Sequence, residues 1–96
     1  MPNRNYLKGT QFERDVKKRL ESVGYHIQRS PKSQFPDGIA LRTFKSILPK
    51  QFMFECKMRK HMSREEKSKA DIIKLKTGLP FLVFYKDDGK IRWYEY

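Results

Sequence analysis

The chain has 96 residues, enough for one domain and too few for two separately packed ones. Hydrophobic residues make up 38% of it and aromatic residues 14%, which excludes a disordered basic tail and predicts a single modest core. The 22 Lys and Arg residues against 11 Asp and Glu residues leave a net charge of +11. Such an excess favours a polyanionic partner, and nucleic acid is the first candidate.

The sequence contains no pattern typical of secretion or membrane insertion. Residues 1–8 lack an apolar signal core, and the longest apolar run, residues 79–85, is far shorter than the ~20 residues that cross a bilayer. The single cysteine, Cys56, cannot form an internal disulfide, on which small secreted domains usually depend. We therefore expect one domain over residues 1–96 with a flexible segment at 1–8, no membrane partner, and a cytoplasmic location, in the host if the source is viral.

The first predicted element is a helix over about residues 10–22. Thr10 and Glu13 have the spacing of a capping box, and Gly24 suits the left-handed position that follows a helix. The apolar stripe of this helix consists of Phe12, Val16, Leu20 and Val23. Glu13 lies at the edge of that stripe, so its side chain can reach the packed side of the helix.

Three strands are predicted next, over about residues 25–30, 37–44 and 52–59. A polar, proline-containing bend at residues 31–36 separates the first two, and a turn at residues 45–50 separates the second from the third. If that turn closes an antiparallel hairpin, the beginning of the second strand lies beside the far end of the third.

The third strand has the clearest pattern in the sequence. Apolar residues at 52, 54, 56 and 58 alternate with Met53, Glu55, Lys57 and Arg59. This alternation predicts one apolar face and one charged face. Cys56 falls on the apolar face, where we expect a small buried side chain rather than a nucleophile.

A helix and two strands complete the predicted domain. A capping box at residues 63–66 opens a lysine-rich helix that runs to about residue 77. Residues 81–85 form a nearly continuous apolar run, typical of a strand covered on both faces, and Asp88-Gly89 is a hairpin turn into a last strand over residues 91–96. The order is α-β-β-β-α-β-β, which predicts an α/β fold with a central five-stranded sheet flanked by helices.

The scarce acidic residues are informative because of where they fall. An acidic residue followed at i+2 by lysine occurs four times, but only Glu55 and Lys57 lie on a predicted strand, where residues two apart share a face. The predicted hairpin brings Asp37 beside them. Two carboxylates and a lysine would then converge, and carboxylates are the side chains that hold Mg²⁺ in metal-dependent nucleases.

Pro36-Asp37 followed by Glu55-x-Lys57 resembles the PD-(D/E)xK nuclease superfamily, whose restriction-endonuclease-like core has the order αβββαβ. A second resemblance is more specific and covers most of the chain: the sequence looks like the archaeal-type Holliday junction resolvases. The matching residues are Lys8-Gly9-x-x-Phe12-Glu13-Arg14, Leu20-Glu21, Gly24-Tyr25, Arg29-Ser30-x-x-Ser33, Asp37, Ile39-Ala40, Glu55-Cys56-Lys57 and Ile91-Arg92-Trp93-Tyr94-Glu95.

This resemblance implies a Mg²⁺-dependent endodeoxyribonuclease of DNA recombination and repair, with Mn²⁺ as an alternative ion, that cuts two opposed strands of a four-way junction. The implied catalytic residues are Glu13, Asp37, Glu55 and Lys57, with Lys57 activating or orienting water. The implied metal ligands are Glu13, Asp37, Glu55 and the backbone carbonyl of Cys56. The implied DNA contacts are Lys8, Arg14, Arg29, Ser30, Lys32, Ser33, Arg59 and Lys60.

Each of these residues also has a purely structural interpretation. Glu13 can be the last member of a capping box, Asp37 an ordinary residue at the start of a strand, and Glu55 with Lys57 a solvated salt-bridge face. At the level of function, a non-catalytic basic nucleic-acid-binding module stays open, although such a module gains nothing from carboxylates on its binding face. A less selective repair or restriction nuclease also stays open, because Pro31 and Lys32 stand where the resolvases commonly have small residues.

A homodimer is expected for the junction-cutting function. Paired cuts in a two-fold substrate call for two active sites, and a chain of this length supplies one. The candidate contact residues are Trp93, Tyr94, Tyr96 and the exposed parts of residues 79–85.

Overall fold

The structure is a computed structural model that describes residues 4–31, 34–44 and 47–96, with side chains of the first helix from Lys8 onward. Two helices, α1 (Arg4–Ser22) and α2 (Arg64–Thr77), accompany five strands. The strands are β1 (His26–Arg29), β2 (Gly38–Leu41), β3 (Gln51–Lys57), β4 (Phe81–Asp87) and β5 (Lys90–Glu95). The predicted element order is confirmed.

The five strands form one mixed sheet in the spatial order β1-β2-β3-β4-β5. Neighbouring strands are antiparallel except for β3 and β4, which run parallel and are joined through α2. The register of the predicted hairpin pairs Gly38 of β2 with Phe54 of β3. Asp37 therefore lies beside Glu55, at the edge of the sheet where β1 and β3 end.

One core lies between α1 and the sheet. The apolar stripe of α1 contributes Phe12, Val16 and Leu20, all buried. Its partners from the strands are Ile27, Ala40, Phe52, Phe54, Leu82 and Phe84. Val23 is 45% exposed, because it lies past the end of α1, so the predicted stripe was one residue too long.

A second core lies on the other face of the sheet, beneath α2. It contains Met62, Ala70, Phe81 and Val83, and Met53 of β3 packs against it. The face of β3 predicted to be charged is therefore covered by α2. The interpretation of Glu55 as part of a solvated face is wrong, since Glu55 is only 9% exposed.

Strand β4 confirms the prediction of a strand covered on both faces. Phe81 and Val83 point into the core under α2, while Leu82 and Phe84 point into the core under α1. Residues 81–84 are thus interior, so Leu79, Pro80 and Tyr85, all half-buried, are the more accessible members of the segment expected at the dimer contact. In β5, Tyr94 and Tyr96 pack against the second core, and Trp93 is 40% exposed.

Helix α1 begins at Arg4 rather than at Thr10, so the capping box predicted at residues 10–13 is wrong. The spacing of Thr10 and Glu13 matched a capping box, but the helix continues through Gly9, since one glycine inside a helix costs only about 1 kcal/mol and is tolerated. Residues 4–8, assigned to a flexible segment, belong to the helix, and residues 1–3 lie outside the described residues. Glu13 is an interior helix residue whose carboxylate is not occupied by capping.

Helix α2 begins and ends as predicted. The Ser63 hydroxyl accepts a hydrogen bond from the Glu66 backbone N–H at 3.1 Å, and the Glu66 carboxylate accepts one from the Ser63 N–H at 2.9 Å. At the other end Gly78 adopts a left-handed conformation with φ of 68°. Within the described ranges, neither helix is long and apolar enough to cross a membrane.

Strand β2 ends at Leu41, before the expected end at Phe44. The next residue, Arg42, is buried, and its guanidinium lies between the rings of Tyr25 and Phe44. It donates hydrogen bonds to the carbonyls of Val23, Phe44 and Leu48. The expected second half of the strand is therefore a loop that Arg42 holds in place, an arrangement that the local sequence pattern did not reveal.

Candidate active site

The structure brings Asp37 and Glu55 together. Asp37 immediately precedes β2, and its backbone N–H donates to Glu55 Oε1 at 3.1 Å. Its own Oδ2 accepts a hydrogen bond of 2.6 Å from the backbone N–H of Cys56. Both carboxyl groups are thus tied to the paired backbones of β2 and β3, so their separation is set by the sheet rather than by flexible side chains.

Burial shifts the pKa values of both carboxyl groups in this pair. Burial raises the pKa of Glu55 to about 9, and the neighbouring charge of Asp37 adds to the effect. Burial also raises the pKa of Asp37, while its hydrogen bonds with Cys56 and Glu55 act in the opposite direction. When no cation is bound, this shift favours the protonated form of Glu55 at neutral pH.

Glu13 lies near this pair but is bound elsewhere. Arg29 Nη2 donates to Glu13 Oε2 at 3.1 Å, across the gap between β1 and α1. Burial and then the charge of Asp37 raise the pKa of Glu13, whereas Arg29 lowers it. Among the described residues, no three Asp, Glu, His or Cys side chains stand close enough together to hold a metal ion. Of the three carboxylates implied as metal ligands, Asp37 and Glu55 therefore form a close pair, and Glu13 is bonded to Arg29 instead.

Lys57 is paired with a carboxylate outside the Asp37–Glu55 pair. Its ammonium donates to both carboxylate oxygens of Glu66, at 2.9 and 2.8 Å. Glu66 was recognised in the sequence only as a capping residue of α2. Its contact with Lys57 depends on how α2 packs against β3, which the sequence does not determine. The short connection between β3 and the capping box was the one sequence feature that placed the two residues near each other.

The residues implied as DNA contacts fall into three groups. Those exposed to solvent are Lys8, Arg14, Arg29, Arg59 and Lys60. Ser30 is half-buried, and its backbone N–H donates to the Asp37 carbonyl at 2.8 Å. Lys32 and Ser33 lie outside the described residues.

A basic groove of about 680 Å³ lies between α1 and the turn that joins β4 to β5. Its charged lining residues are Lys18, Arg19, Lys86, Lys90 and Asp15. Lys57 pairs with Tyr85 in the parallel register, so the turn beyond Tyr85 lies at the same edge of the sheet as the acid pair. Sequence analysis missed Lys86 and Lys90, because their relation to this edge follows from the sheet order.

Cys56 and the two histidines offer no alternative chemistry. Burial, followed by the charges of Asp37, Glu13 and Glu55, raises the pKa of the Cys56 thiol. The thiol therefore stays neutral, and a neutral thiol is a poor nucleophile. His26 and His61 are both exposed to solvent.

Comparison with known proteins places the fold. No protein-family model and no curated protein matches the sequence. Among solved structures, the chain is similar to Archaeoglobus fulgidus Hjc, a Holliday junction resolvase from an archaeal hyperthermophile, with a TM-score of 0.71 and 26% sequence identity. The match covers 92% of this chain and 72% of that one. With its mixed five-stranded sheet and flanking helices, the chain has an archaeal-type resolvase-like fold of the restriction-endonuclease-like class.

Proposed function

We propose that the protein is a metal-dependent endodeoxyribonuclease that resolves four-way DNA junctions by paired cuts. The observation that carries the proposal is the buried Asp37–Glu55 pair at the edge of the sheet. Its setting in a chain of net charge +11 supports DNA as the partner, since basic surfaces bind phosphate backbones. The similar solved structure is that of a Holliday junction resolvase.

The acid pair fits a divalent cation. Mg²⁺ is usually held by one or two carboxylates together with water and substrate phosphates, so a close pair is a sufficient set. Asp37 and Glu55 would bind Mg²⁺ or Mn²⁺ with the Cys56 backbone carbonyl, and Glu13 would be an outer member of the set. A bound ion would polarise the scissile phosphate and lower the pKa of a water molecule for the attack.

The chain's own residues would do the rest. Glu55 would release its proton when a cation arrives, because a positive charge removes the penalty for ionising it. Lys57 would place a positive charge beside the reacting phosphate, where negative charge develops. Arg29, with the exposed cations Lys8, Arg14, Arg59 and Lys60, would hold the DNA backbone.

The buried acids also discriminate against the alternative of a non-catalytic nucleic-acid-binding module. Burying Glu55 beside the half-buried Asp37 lowers the stability of the fold, and negative charge on the pair repels phosphate. A protein that only binds DNA has no use for either effect. The less selective nuclease differs only in substrate choice and is distinguished by the following experiment.

Cleavage should be measured on labelled four-way junction, flap and linear duplex of matched sequence, with and without Mg²⁺, at fixed salt. We expect paired cuts in the junction that require Mg²⁺. Asp37→Asn and Glu55→Gln should abolish cleavage and leave binding intact or tighter, because each removes a ligand and a potential negative charge. Glu21→Gln, on the exposed part of α1, is the matched control.

Two results would decide against the proposal as stated. Cleavage at the normal rate by both site variants in Mg²⁺ would remove the acid pair from the mechanism. Equal cutting of junction and duplex would indicate the less selective nuclease.

We further propose that the active species is a homodimer, since paired cuts need two sites. Of the aromatic residues expected at the contact, Trp93 is the exposed one, so Trp93→Ala should weaken association. Sedimentation equilibrium of both proteins is the measurement. A monomeric wild-type protein that still makes both cuts in one encounter would contradict this proposal.

A further inference from the structure

Glu66 occupies the point where α2 meets the candidate active site. Both of its carboxylate oxygens accept hydrogen bonds from Lys57 Nζ, at 2.9 and 2.8 Å, and Oε1 also accepts from the Ser63 backbone N–H at 2.9 Å. Lys57 and Glu66 have side chains that are 26% and 22% exposed. The pair is thus shielded from solvent well beyond the usual surface ion pair, and one carboxylate serves both the helix cap and the lysine.

The carboxyl groups of Asp37 and Glu55 are alternative partners for the Lys57 ammonium. Glu55 lies two residues earlier on the same face of β3, with Asp37 bound beside it. Both side chains project from the side of β3 that α2 covers, close to the end of the strand, and Lys57 is held there by Glu66 of α2. A lysine has a flexible four-carbon side chain, so an ammonium without Glu66 would turn toward these carboxylates. At that position it would oppose any cation that enters.

We propose that Glu66 is a positioning residue that holds the Lys57 ammonium beside the Asp37–Glu55 pair and prevents it from closing onto the pair. The acid pair then stays open to a divalent cation, and the lysine stays where it can meet a substrate phosphate. This inference rests on the proposed nuclease function for its catalytic part. Its cation-binding part can be tested without DNA.

The two roles of Glu66 can be separated by substitution. Glu66→Gln keeps an acceptor for the Ser63 N–H, because glutamine also serves at this position of a capping box, but it removes the charge that binds Lys57. Ser63→Ala removes the hydroxyl half of the cap and leaves the Glu66 carboxylate in place. Glu65→Gln is the charge-matched control, since Glu65 is 80% exposed and is paired with Lys69 rather than Lys57.

The first measurement is the rise of the melting temperature with Mg²⁺ concentration in the absence of DNA. We expect Glu66→Gln to need about tenfold more Mg²⁺ for half of the rise, whereas Ser63→Ala and Glu65→Gln keep the wild-type midpoint. The melting temperature without Mg²⁺ should fall for Ser63→Ala, because losing an N-cap side chain costs about 1 kcal/mol.

The second measurement is junction cleavage at saturating Mg²⁺. Glu66→Gln should lower kcat by about ten- to a hundredfold with little change in KM, because a small displacement of a catalytic group has effects of that size. Ser63→Ala and Glu65→Gln should keep the wild-type kcat. In a Lys57→Met background, Glu66→Gln should cause no further change in the Mg²⁺ midpoint, since Glu66 acts through the lysine.

The outcomes separate this inference from the proposed function. A wild-type Mg²⁺ midpoint in Glu66→Gln, or an equal increase in Glu65→Gln, overturns the positioning role even if the wild-type protein is a nuclease. A wild-type protein that binds Mg²⁺ but cuts no DNA refutes the nuclease proposal, and an increased midpoint confined to Glu66→Gln then still supports the role of Glu66. A wild-type protein that shows no Mg²⁺ effect at all overturns both.

Discussion

Glu55 carries an ionisable carboxyl group into a place that water hardly reaches. Its pKa is raised from 4.5 to about 9, so the folded protein binds this proton more tightly than the unfolded chain does. The stability that the group contributes is therefore fully present below about pH 4.5 and is lost as the pH rises through about 9. Without a metal ion, the carboxylate form of Glu55 is a cost to the fold.

We expect Glu55→Gln to stabilise the metal-free protein, and to do so more at about pH 9 than at about pH 5. One pKa unit corresponds to about 1.4 kcal/mol, so the gain in unfolding free energy should exceed about 1 kcal/mol at the higher pH. Urea denaturation of both proteins in EDTA is the measurement. Glu21→Gln, which removes an exposed carboxylate of α1, is the control, and a Glu55→Gln variant that is equally stable or less stable at both pH values would contradict the expectation.

At the scale of elements, the pairing of β1 with β2 depends on Gly38. A Cβ atom added to Gly38 would approach the Gln28 carbonyl oxygen to 2.5 Å and the Arg29 Cα atom to 3.2 Å. Both are backbone atoms, so β1 would have to move. We expect Gly38→Ala to lower the unfolding free energy by about 1–3 kcal/mol and to slow junction cutting, because the neighbouring Asp37 would shift from its bond with Cys56.

Gly9 provides the matched control for this substitution. It lies in the interior of α1, and a Cβ atom there would meet no atom within 4 Å. Gly9→Ala should therefore raise the unfolding free energy by about 1 kcal/mol, the ordinary gain for alanine over glycine in a helix. Thermal or urea unfolding distinguishes the two variants, and a stable Gly38→Ala protein would show that the strands can separate at little cost.

Features that depend on residues close together in the sequence could be predicted, whereas contacts between elements that are distant in the sequence could not. The alternation along β3 and the expectation of an antiparallel hairpin were sufficient to bring Asp37 beside Glu55, although β2 ends at Leu41 and its connection to Gln51 is longer than the predicted turn. The contact between Lys57 and Glu66 was missed, since it joins a strand to a helix whose placement depends on the second core. The start of α1 was missed because Thr10 and Glu13 have the spacing of a capping box, whereas the helix begins six residues earlier.

At the scale of the whole molecule, part of the net charge of +11 lies in the groove between α1 and the β4–β5 turn. Lys86→Glu with Lys90→Glu should weaken binding of a DNA junction, measured in the Asp37→Asn background without Mg²⁺. The slope of log K against log salt should become shallower by about 0.9 for each DNA phosphate that the variant no longer neutralises.

The matched control for the groove is Lys67→Glu with Lys76→Glu, on exposed positions of α2. The two double variants have the same net charge, so a general electrostatic effect would weaken binding in both. Equal weakening would show that the groove is not a preferred binding surface for DNA.

Strand β4 contributes side chains to both hydrophobic cores of this small protein. Its successive side chains enter opposite layers, with Leu82 and Phe84 on one side and Phe81 and Val83 on the other, and all four are buried. If either helix detached, one apolar face of β4 would be exposed to water, and the other helix packs against the opposite face of the same strand. Partial unfolding that spares half of the molecule is thereby disfavoured, and the edge that carries Asp37 and Glu55 should keep its shape until the whole chain unfolds.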